Sequence, residues 1–491
     1  MTHEQWLEQV RGEVVGLETF VPLLNGQLRR YVSLDNAATT PALVSVRDAV
    51  DGFLEWYSSV HRGTGFKSRL ATHWYDEARR VVLGAVGGDP DRHVVVFVRN
   101  TTEGMNLLAH RLLTADPDGI ILTSVMEHHS DMLPWRLGGR VRYLEIDDEG
   151  AVREEDLDRQ LREAGGRVAA VSLSGASNVT GVVPPIHRLA AIAHAHGARF
   201  FVDGAQLVPH RRVRMGASGD DGRLDALVFS GHKMYAPYGT GAIVATRTLF
   251  ERGQPLLVGG GMVRSVTLSD ADWADAPESD EAGSPNVVGA VALAAAVRAL
   301  AVLGHDELEA HEAEVTRYTL RRLLEVPGLT LYGPRDPDRT DRLGTFTFNI
   351  TGCPHGLVAA VLGYEHAIGV RNGCFCAHPL LYRLLGLSDD QVEAFRARMR
   401  AHSHAGVAGA VRASLGFYNT RQEIDALIAA LQAVAAEEFA GVYEEDQITG
   451  DYLPVGSAER IGEVFDLGMY LPVSPLAAAH DHGHDHARRP A

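Results

Sequence analysis

At 491 residues the chain exceeds what a single hydrophobic core usually supports, which predicts two interlocked domains with additions. Its 45% hydrophobic and 22% charged residues argue against wholesale disorder, and a formal net charge of -17 weighs against nucleic-acid and anionic-membrane partners. Three cysteines, Cys353, Cys374 and Cys376, are too few for a disulfide framework and fit a reducing compartment, by default the cytoplasm.

In chain order, Met1 to Gly16 mixes Glu4, Glu8 and Glu13 with apolar residues and shows no export signal. Short apolar runs follow at Val94–Val98, Gly119–Thr123, Val141–Ile146, Val168–Leu173, Phe200–Val202, Leu224–Phe229 and Ala242–Ala245, each read as a buried strand. Helical spacing separates several of them, at Glu103–Leu113, Glu154–Ala164 and Ile186–His196. This alternation predicts an α/β fold with a mainly parallel seven-stranded sheet, whose ligands gather beyond the strand ends.

Acidic, alanine-rich Ser269–Gly283 reads as an exposed loop, and Val287–Gly304, interrupted by Arg298, as a packed helix rather than a membrane span. A helix over Asp306–Leu324, a strand over Leu343–Ile350 and a helix over Gln422–Phe439 make a smaller α+β domain. The expected division is a segment 1–34 packing with the small domain, a large domain 35–300, a small domain 301–440 with an insertion about 383–408, and an extension 441–491. Pro475–Ala491 reads as disordered; its alternating histidines offer imidazoles without a defined geometry, so no metal site is expected.

The chemistry concentrates after two strands. Phe200-Phe201-Val202-Asp203 ends an apolar run on an acid, costly to bury unless a cation meets it. Ala226 to Phe229 leads into Ser230-Gly231-His232-Lys233 and then a glycine-rich turn. A lysine for an aldehyde, an aspartate for a ring nitrogen, and serine with histidine for a phosphate describe a pyridoxal 5'-phosphate site. Thr101 and Thr102 begin a helix after a strand, where hydroxyls and amides bind phosphate at the positive helix end.

The strings Leu34-Asp35-Asn36-Ala37-Ala38-Thr39-Thr40-Pro41, Thr101-Thr102-Glu103-Gly104, Glu127-His128-His129, Ser177-Asn178-Val179-Thr180-Gly181, Asp203-Gly204-Ala205-Gln206, Ser230-Gly231-His232-Lys233, Glu281-Ala282-Gly283-Ser284-Pro285-Asn286 and Arg412-Ala413-Ser414-Leu415 occur in one order. In these the chain resembles the class V aminotransferase superfamily and, within it, the cysteine desulfurases of the NifS and SufS type, over roughly Tyr31 to Phe439. The resemblance implies the fold type I of pyridoxal-phosphate enzymes and a homodimer with active sites at its interface. It implies that Lys233 bonds the cofactor aldehyde and Asp203 keeps the ring nitrogen protonated. Gln206 and Asn178 would sit near the phenolic oxygen, and His128 would stack on the ring and move protons. Thr101, Thr102, Ser230 and His232 would hold the phosphate, with Ser284 reaching in from the second subunit where the family usually has threonine. Arg412 matches the clamp on the substrate carboxylate, a task suited to guanidinium geometry.

The string Val370-Arg371-Asn372-Gly373-Cys374-Phe375-Cys376-Ala377-His378-Pro379 resembles the desulfurase loop, with its nucleophile at Cys376 and Arg371 beside the substrate. A thiolate there takes sulfur from L-cysteine, leaving alanine and an enzyme persulfide that a protein sulfur acceptor would unload. Cys374, where the family often has histidine, reads as a packing residue, and Cys353 as inert. Two departures stand out. His61, in Val60-His61-Arg62-Gly63-Thr64-Gly65, matches the substrate-entry loop, yet Phe66-Lys67 leave the family pattern, so a carbon-sulfur lyase or an aminotransferase acting on another amino acid stays open. Around Asp389 to Ala401 the chain inserts charged, helix-prone residues, read as a lid or partner surface or as neutral decoration.

Overall fold

The computed structural model describes residues 2–217, 219–336, 338–456 and 461–470. The tail 475–491, read above as disordered, lies outside the described residues.

Valine-rich and isoleucine-rich runs, which suit a pleated surface buried on both faces, form seven strands. These are β1 (His93–Val98), β2 (Ile120–Ser124), β3 (Arg140–Leu144), β4 (Val168–Ser174), β5 (Arg199–Asp203), β6 (Ala226–Ser230) and β7 (Gly241–Thr246), in the spatial order β1-β7-β6-β5-β4-β2-β3. All seven apolar runs of the sequence became these strands. β3, β2, β4, β5 and β6 pair in parallel, and β7 runs against both β6 and β1. Helices cover the sheet, among them Thr101–Ala115, Glu154–Ala164 and Ile186–Ala195.

Register decides what meets at the sheet's carboxyl edge. Ser174 of β4 lies opposite Asp203 of β5, Asp203 opposite Val228 of β6, and Ser230 ends β6 one short turn before Lys233. Three neighbouring strands therefore deliver polar side chains to one place.

The helix Val287–Leu303 presents Val287, Ala290 and Ala294 to Phe53, Ala71, Tyr75 and Ala78 of its neighbours, and small residues let the backbones approach closely. No single helix among the described residues is long and apolar enough to cross a membrane. The segment Ser269–Gly283 corrects the expectation of an exposed loop. Ala271–Trp273 pairs with Val263–Val266 in a hairpin, and two of the acids that follow, Asp280 and Glu281, turn inward. Asp280 meets Arg111 at 2.8 Å. Glu281 accepts hydrogen bonds from Arg79 (2.6 and 2.7 Å), Tyr75 Oη (2.6 Å) and the Phe97 amide (2.6 Å). Acidic composition signals exposure only where no buried arginine waits for the acids.

A second sheet of antiparallel strands, β8 (Leu329–Tyr332), β9 (Thr345–Ile350), β10 (Arg371–Gly373) and β11 (Ala410–Ser414), has the order β8-β9-β11-β10. Phe346, Phe348 and Val411 pack there against Ile424, Leu427, Ile428 and Leu431 of the helix Arg421–Ala435. Thr420 and Glu423 close that helix's start as a reciprocal capping box. The inserted segment contains a helix, Asp389–Arg400, started by Ser388 and Gln391 in the same manner, with none of its side chains buried.

Candidate active site

A cavity of about 470 Å³ opens at the carboxyl edge of the large sheet, where β10 and β11 of the second sheet face it. It is lined by Thr101, Thr102, His128, Asn178, Asp203, Gln206, Ser230, His232, Lys233, Arg371, Cys376 and Arg412. Twelve of the fourteen residues singled out in the sequence thus converge. A second, more apolar groove of about 610 Å³ runs between the helices Val44–Leu54, Phe66–Ala85 and Val287–Leu303, and two of its charged groups, Glu77 and Arg298, pair with each other at 2.9 Å.

One end of the cavity is suited to an anion. Asn100 caps the helix Thr101–Ala115 by accepting the Glu103 amide at 3.0 Å, and the helix's positive end points into the cavity. Thr101 donates its amide to Ser230 Oγ at 2.7 Å, and the two hydroxyls lie 2.7 Å apart. Thr102 Oγ1 meets Ser130 Oγ at 2.7 Å, and His232 Nδ1 lies 3.3 Å from Thr39 Oγ1. Burial, with Lys233 second, pulls His232 down to about 4.

At the floor, Asp203 is buried, accepts the Ala205 amide at 2.9 Å and has no ion pair among the described residues. Burial and then the nearby Asp131 push its carboxyl up to about 7. Burial pulls the Lys233 amine down to about 8, with Arg412 adding to the effect and Asp203 opposing it. Such an amine is partly deprotonated near neutral pH, and in that form can attack an aldehyde. His128 is held neutral, at about 3, by burial and by Lys233. Its Nδ1 accepts the Ser130 amide at 3.1 Å, so the ring proton sits on Nε2. Gln206 donates its side-chain amide to the Ala37 carbonyl at 2.7 Å.

The remaining wall carries guanidinium and thiol. Arg412 is buried on β11, donates Nη1 to the Asn178 carbonyl (3.1 Å) and pairs through Nη2 with Asp35 (3.0 Å). Arg371 pairs with the other Asp35 oxygen at 2.9 Å. Cys376 is exposed at the lip, with φ of +53°, as has Phe375 before it. Both lie in the left-handed region, unusual for residues with side chains. Its neighbour Cys374 is turned away, with Sγ 3.3 Å from the Ala408 carbonyl, and burial pushes its thiol up to about 12.

Two singled-out residues do not line the cavity. Ser284 is exposed, and His61 is exposed with its ring edge-on to Tyr75, the centroids 5.8 Å apart. Sequence reading gave no role to Asp35 or Ser130. Asp35 had a visible signal, an acid amid the small residues of the Leu34–Pro41 string, whereas Ser130 only acquires its place when its helix packs beside Thr102.

A cationic ring nitrogen would give buried Asp203 its missing partner, and the hydroxyls at a helix start fit a phosphate. The donor set therefore fits pyridoxal phosphate. A family model described as aminotransferase class-V matches residues 32–427. The cysteine desulfurase of Haloferax volcanii is 36% identical over 417 residues, 83% of this chain and 90% of that protein. That of Pectobacterium carotovorum subsp. carotovorum is 34% identical, covering 87% and 98%. Among solved structures, an apo cysteine desulfurase from Thermococcus onnurineus NA1 matches with a TM-score of 0.73 at 32% identity, covering 83% of this chain and 95% of that one. The Escherichia coli cysteine desulfurase CsdA, in an S-sulfonic acid form, matches with a TM-score of 0.71 at 28% identity, covering 88% and 99%. On these matches the chain belongs to the aminotransferase class-V family, among the cysteine desulfurases.

Proposed function

We propose that this protein is a pyridoxal-phosphate-dependent cysteine desulfurase, which converts L-cysteine to L-alanine and leaves the sulfur as a persulfide on Cys376. One observation carries the reading: an exposed cysteine stands at the lip of a cavity whose floor is a lysine with a lowered pKa and a buried, unpaired aspartate. The cofactor, when bound, supplies an electron sink for the substrate's α-carbon.

The protein's own groups do the rest. Thr101, Thr102, Ser230 and His232 would hold the phosphate, Asp203 would keep a proton at the ring nitrogen, and Gln206 would lie toward the phenolic oxygen. Lys233 would hold the aldehyde and, as a free amine, would serve as a base at the substrate's α-carbon. His128, neutral with its proton on Nε2, would lie against the ring, where it can donate that proton. Arg412, with Asn178 and Arg371, binds the substrate carboxylate. The Cys376 thiolate attacks the substrate sulfur; a sulfur–sulfur bond forms, the carbon–sulfur bond breaks, and its electron pair stays with carbon, which is protonated on the way to alanine. A protein acceptor then removes the persulfide sulfur.

Ser284 and His61, exposed and apart from the cavity in one chain, are assigned to the site of a second copy in a homodimer. Incubating the purified holoenzyme with L-cysteine tests the reading. Alanine in step with a persulfide on the Cys376 peptide is expected. The Cys376→Ala variant should lose about a thousandfold in turnover while keeping its cofactor absorbance. Pyruvate and free sulfide formed equally well by Cys376→Ala would replace the reading with a carbon-sulfur lyase.

A further inference from the structure

The wall that receives the substrate carboxylate is already occupied by groups of the protein itself. Arg412 holds Asp35 at 3.0 Å and the Asn178 main-chain carbonyl at 3.1 Å, and its buried Nε has no partner among the described residues. Its guanidinium lies over the Phe375 ring, 4.9 Å from the centroid. Asn178 donates its side-chain amide to the Phe375 carbonyl at 2.7 Å. Phe375 directly precedes Cys376. Two of the three side chains assigned above to the carboxylate, Asn178 and Arg412, are therefore also the ones that touch Phe375 in the cysteine loop.

We propose that Asn178 and Arg412 form a latch on the Cys376 loop, and that the carboxylate of an incoming amino acid opens it. The inference rests on the reading that these two residues bind that carboxylate. The exchange is favourable on elementary grounds. At Arg412 one carboxylate, Asp35, is replaced by another, so the ion pair is conserved. At Asn178 a neutral carbonyl acceptor gives way to an anionic one, and hydrogen bonds to charged acceptors are the stronger. Once the Phe375 carbonyl is free, the left-handed conformations of Phe375 and Cys376 lose a tether that holds them, and the loop relaxes toward more populated backbone angles.

The movement has natural limits. Gly373, with φ of +106°, supplies a pivot on one side, and on the other the Cys376 carbonyl stays bound to the His129 amide at 2.8 Å. The released piece is short, which suits a thiol swinging over the cavity rather than a loop leaving it. The latch also orders events, since the nucleophile is mobilised only when an amino acid occupies the cavity.

Hydrogen exchange of the holoenzyme, with and without saturating L-alanine, tests this. Alanine carries the carboxylate and no sulfur, and a shift in cofactor absorbance reports that it is bound. Amide exchange in the peptide 371–379 is expected to rise at least threefold with alanine. In Asn178→Asp, which has no amide to donate, exchange should be fast already and indifferent to alanine. Bound alanine with unchanged or slower exchange in the wild-type loop overturns the latch, whether or not the variant folds. Loop exchange that rises while Cys376→Ser still forms alanine from cysteine would uphold the latch and overturn only the persulfide assignment. No absorbance shift at any alanine concentration would remove both the carboxylate site and the latch.

Discussion

The floor and the rim of this cavity are built by opposite means. Ser174, Asp203 and Ser230 end adjacent hydrogen-bonded strands, are all buried, and keep their spacing through the register of the sheet. Cys376 sits on a left-handed turn at the lip, held by a few replaceable hydrogen bonds. Groups on adjacent strands are fixed by the register of the sheet, whereas a group on a short turn is free to be repositioned.

The largest way to break the contrast is at the floor. Lys233→Ala should abolish the visible absorbance of bound cofactor and lower every reaction of the enzyme by about ten-thousandfold, with the fold intact by circular dichroism. Retained turnover with cysteine would place the aldehyde elsewhere.

A smaller effect isolates Asp203 through pH. Its carboxyl in the folded apoprotein is raised to about 7 by burial, against an ordinary value near 4 in the unfolded chain. Between those values the folded state holds a proton that the unfolded state has released. The stabilisation is thus complete below about pH 4 and is lost as pH rises through 7, a span worth about 4 kcal/mol. Urea unfolding of the apoprotein from pH 4 to 8 should show this decline, and Asp203→Asn should remove that part of it. Glu127 and Asp131, buried together and both raised by burial, add slope of the same sign that the variant retains. Bound cofactor should flatten the Asp203 component, because a cationic ring nitrogen favours the ionised form. Identical slopes in wild type and Asp203→Asn would mean that this carboxyl is ionised in the folded apoprotein.

Outside the cavity, the segment leading to Ser284 is anchored by Glu281. Four donor groups, on Arg79, Tyr75 and Phe97, converge on that carboxylate. Glu281→Gln turns an amide N–H toward them and should cost about 3 kcal/mol in urea unfolding, as breaking a buried ion pair does. A loss below about 1 kcal/mol would class the pair with exposed ones.

The floor was legible in the sequence because strand-forming runs ended on the very residues that carry chemistry. Asp203 and Ser230 each follow an unbroken apolar run, so a parallel sheet puts them at one edge. The rim was legible only through resemblance. Nothing in the spacing of Phe375 and Cys376 announces two positive φ angles, or a carbonyl held by an asparagine nearly two hundred residues earlier in the chain. Glu281 was misread for the same reason. Its partners Arg79 and Phe97 are remote in sequence, and local composition could register only the acid.

The smallest predicted effect separates two cysteines two positions apart. Cys374 packs against the core with its thiol pushed up to about 12 by burial, so at pH 8 only about one molecule in ten thousand carries a thiolate there. Cys376 is open to solvent at the cavity's lip. Limited alkylation with iodoacetamide at pH 8 should therefore label Cys376 and spare Cys374, read by peptide mass spectrometry. Cys374→Ala removes one packed sulfur and should cost about 1 kcal/mol of stability. Turnover with cysteine should stay within about twofold, since substitutions that leave the reacting groups in place change stability before rate. Equal labelling of the two thiols, or a tenfold loss of turnover in Cys374→Ala, would move Cys374 from the packed core to the working rim and make the loop a two-thiol device.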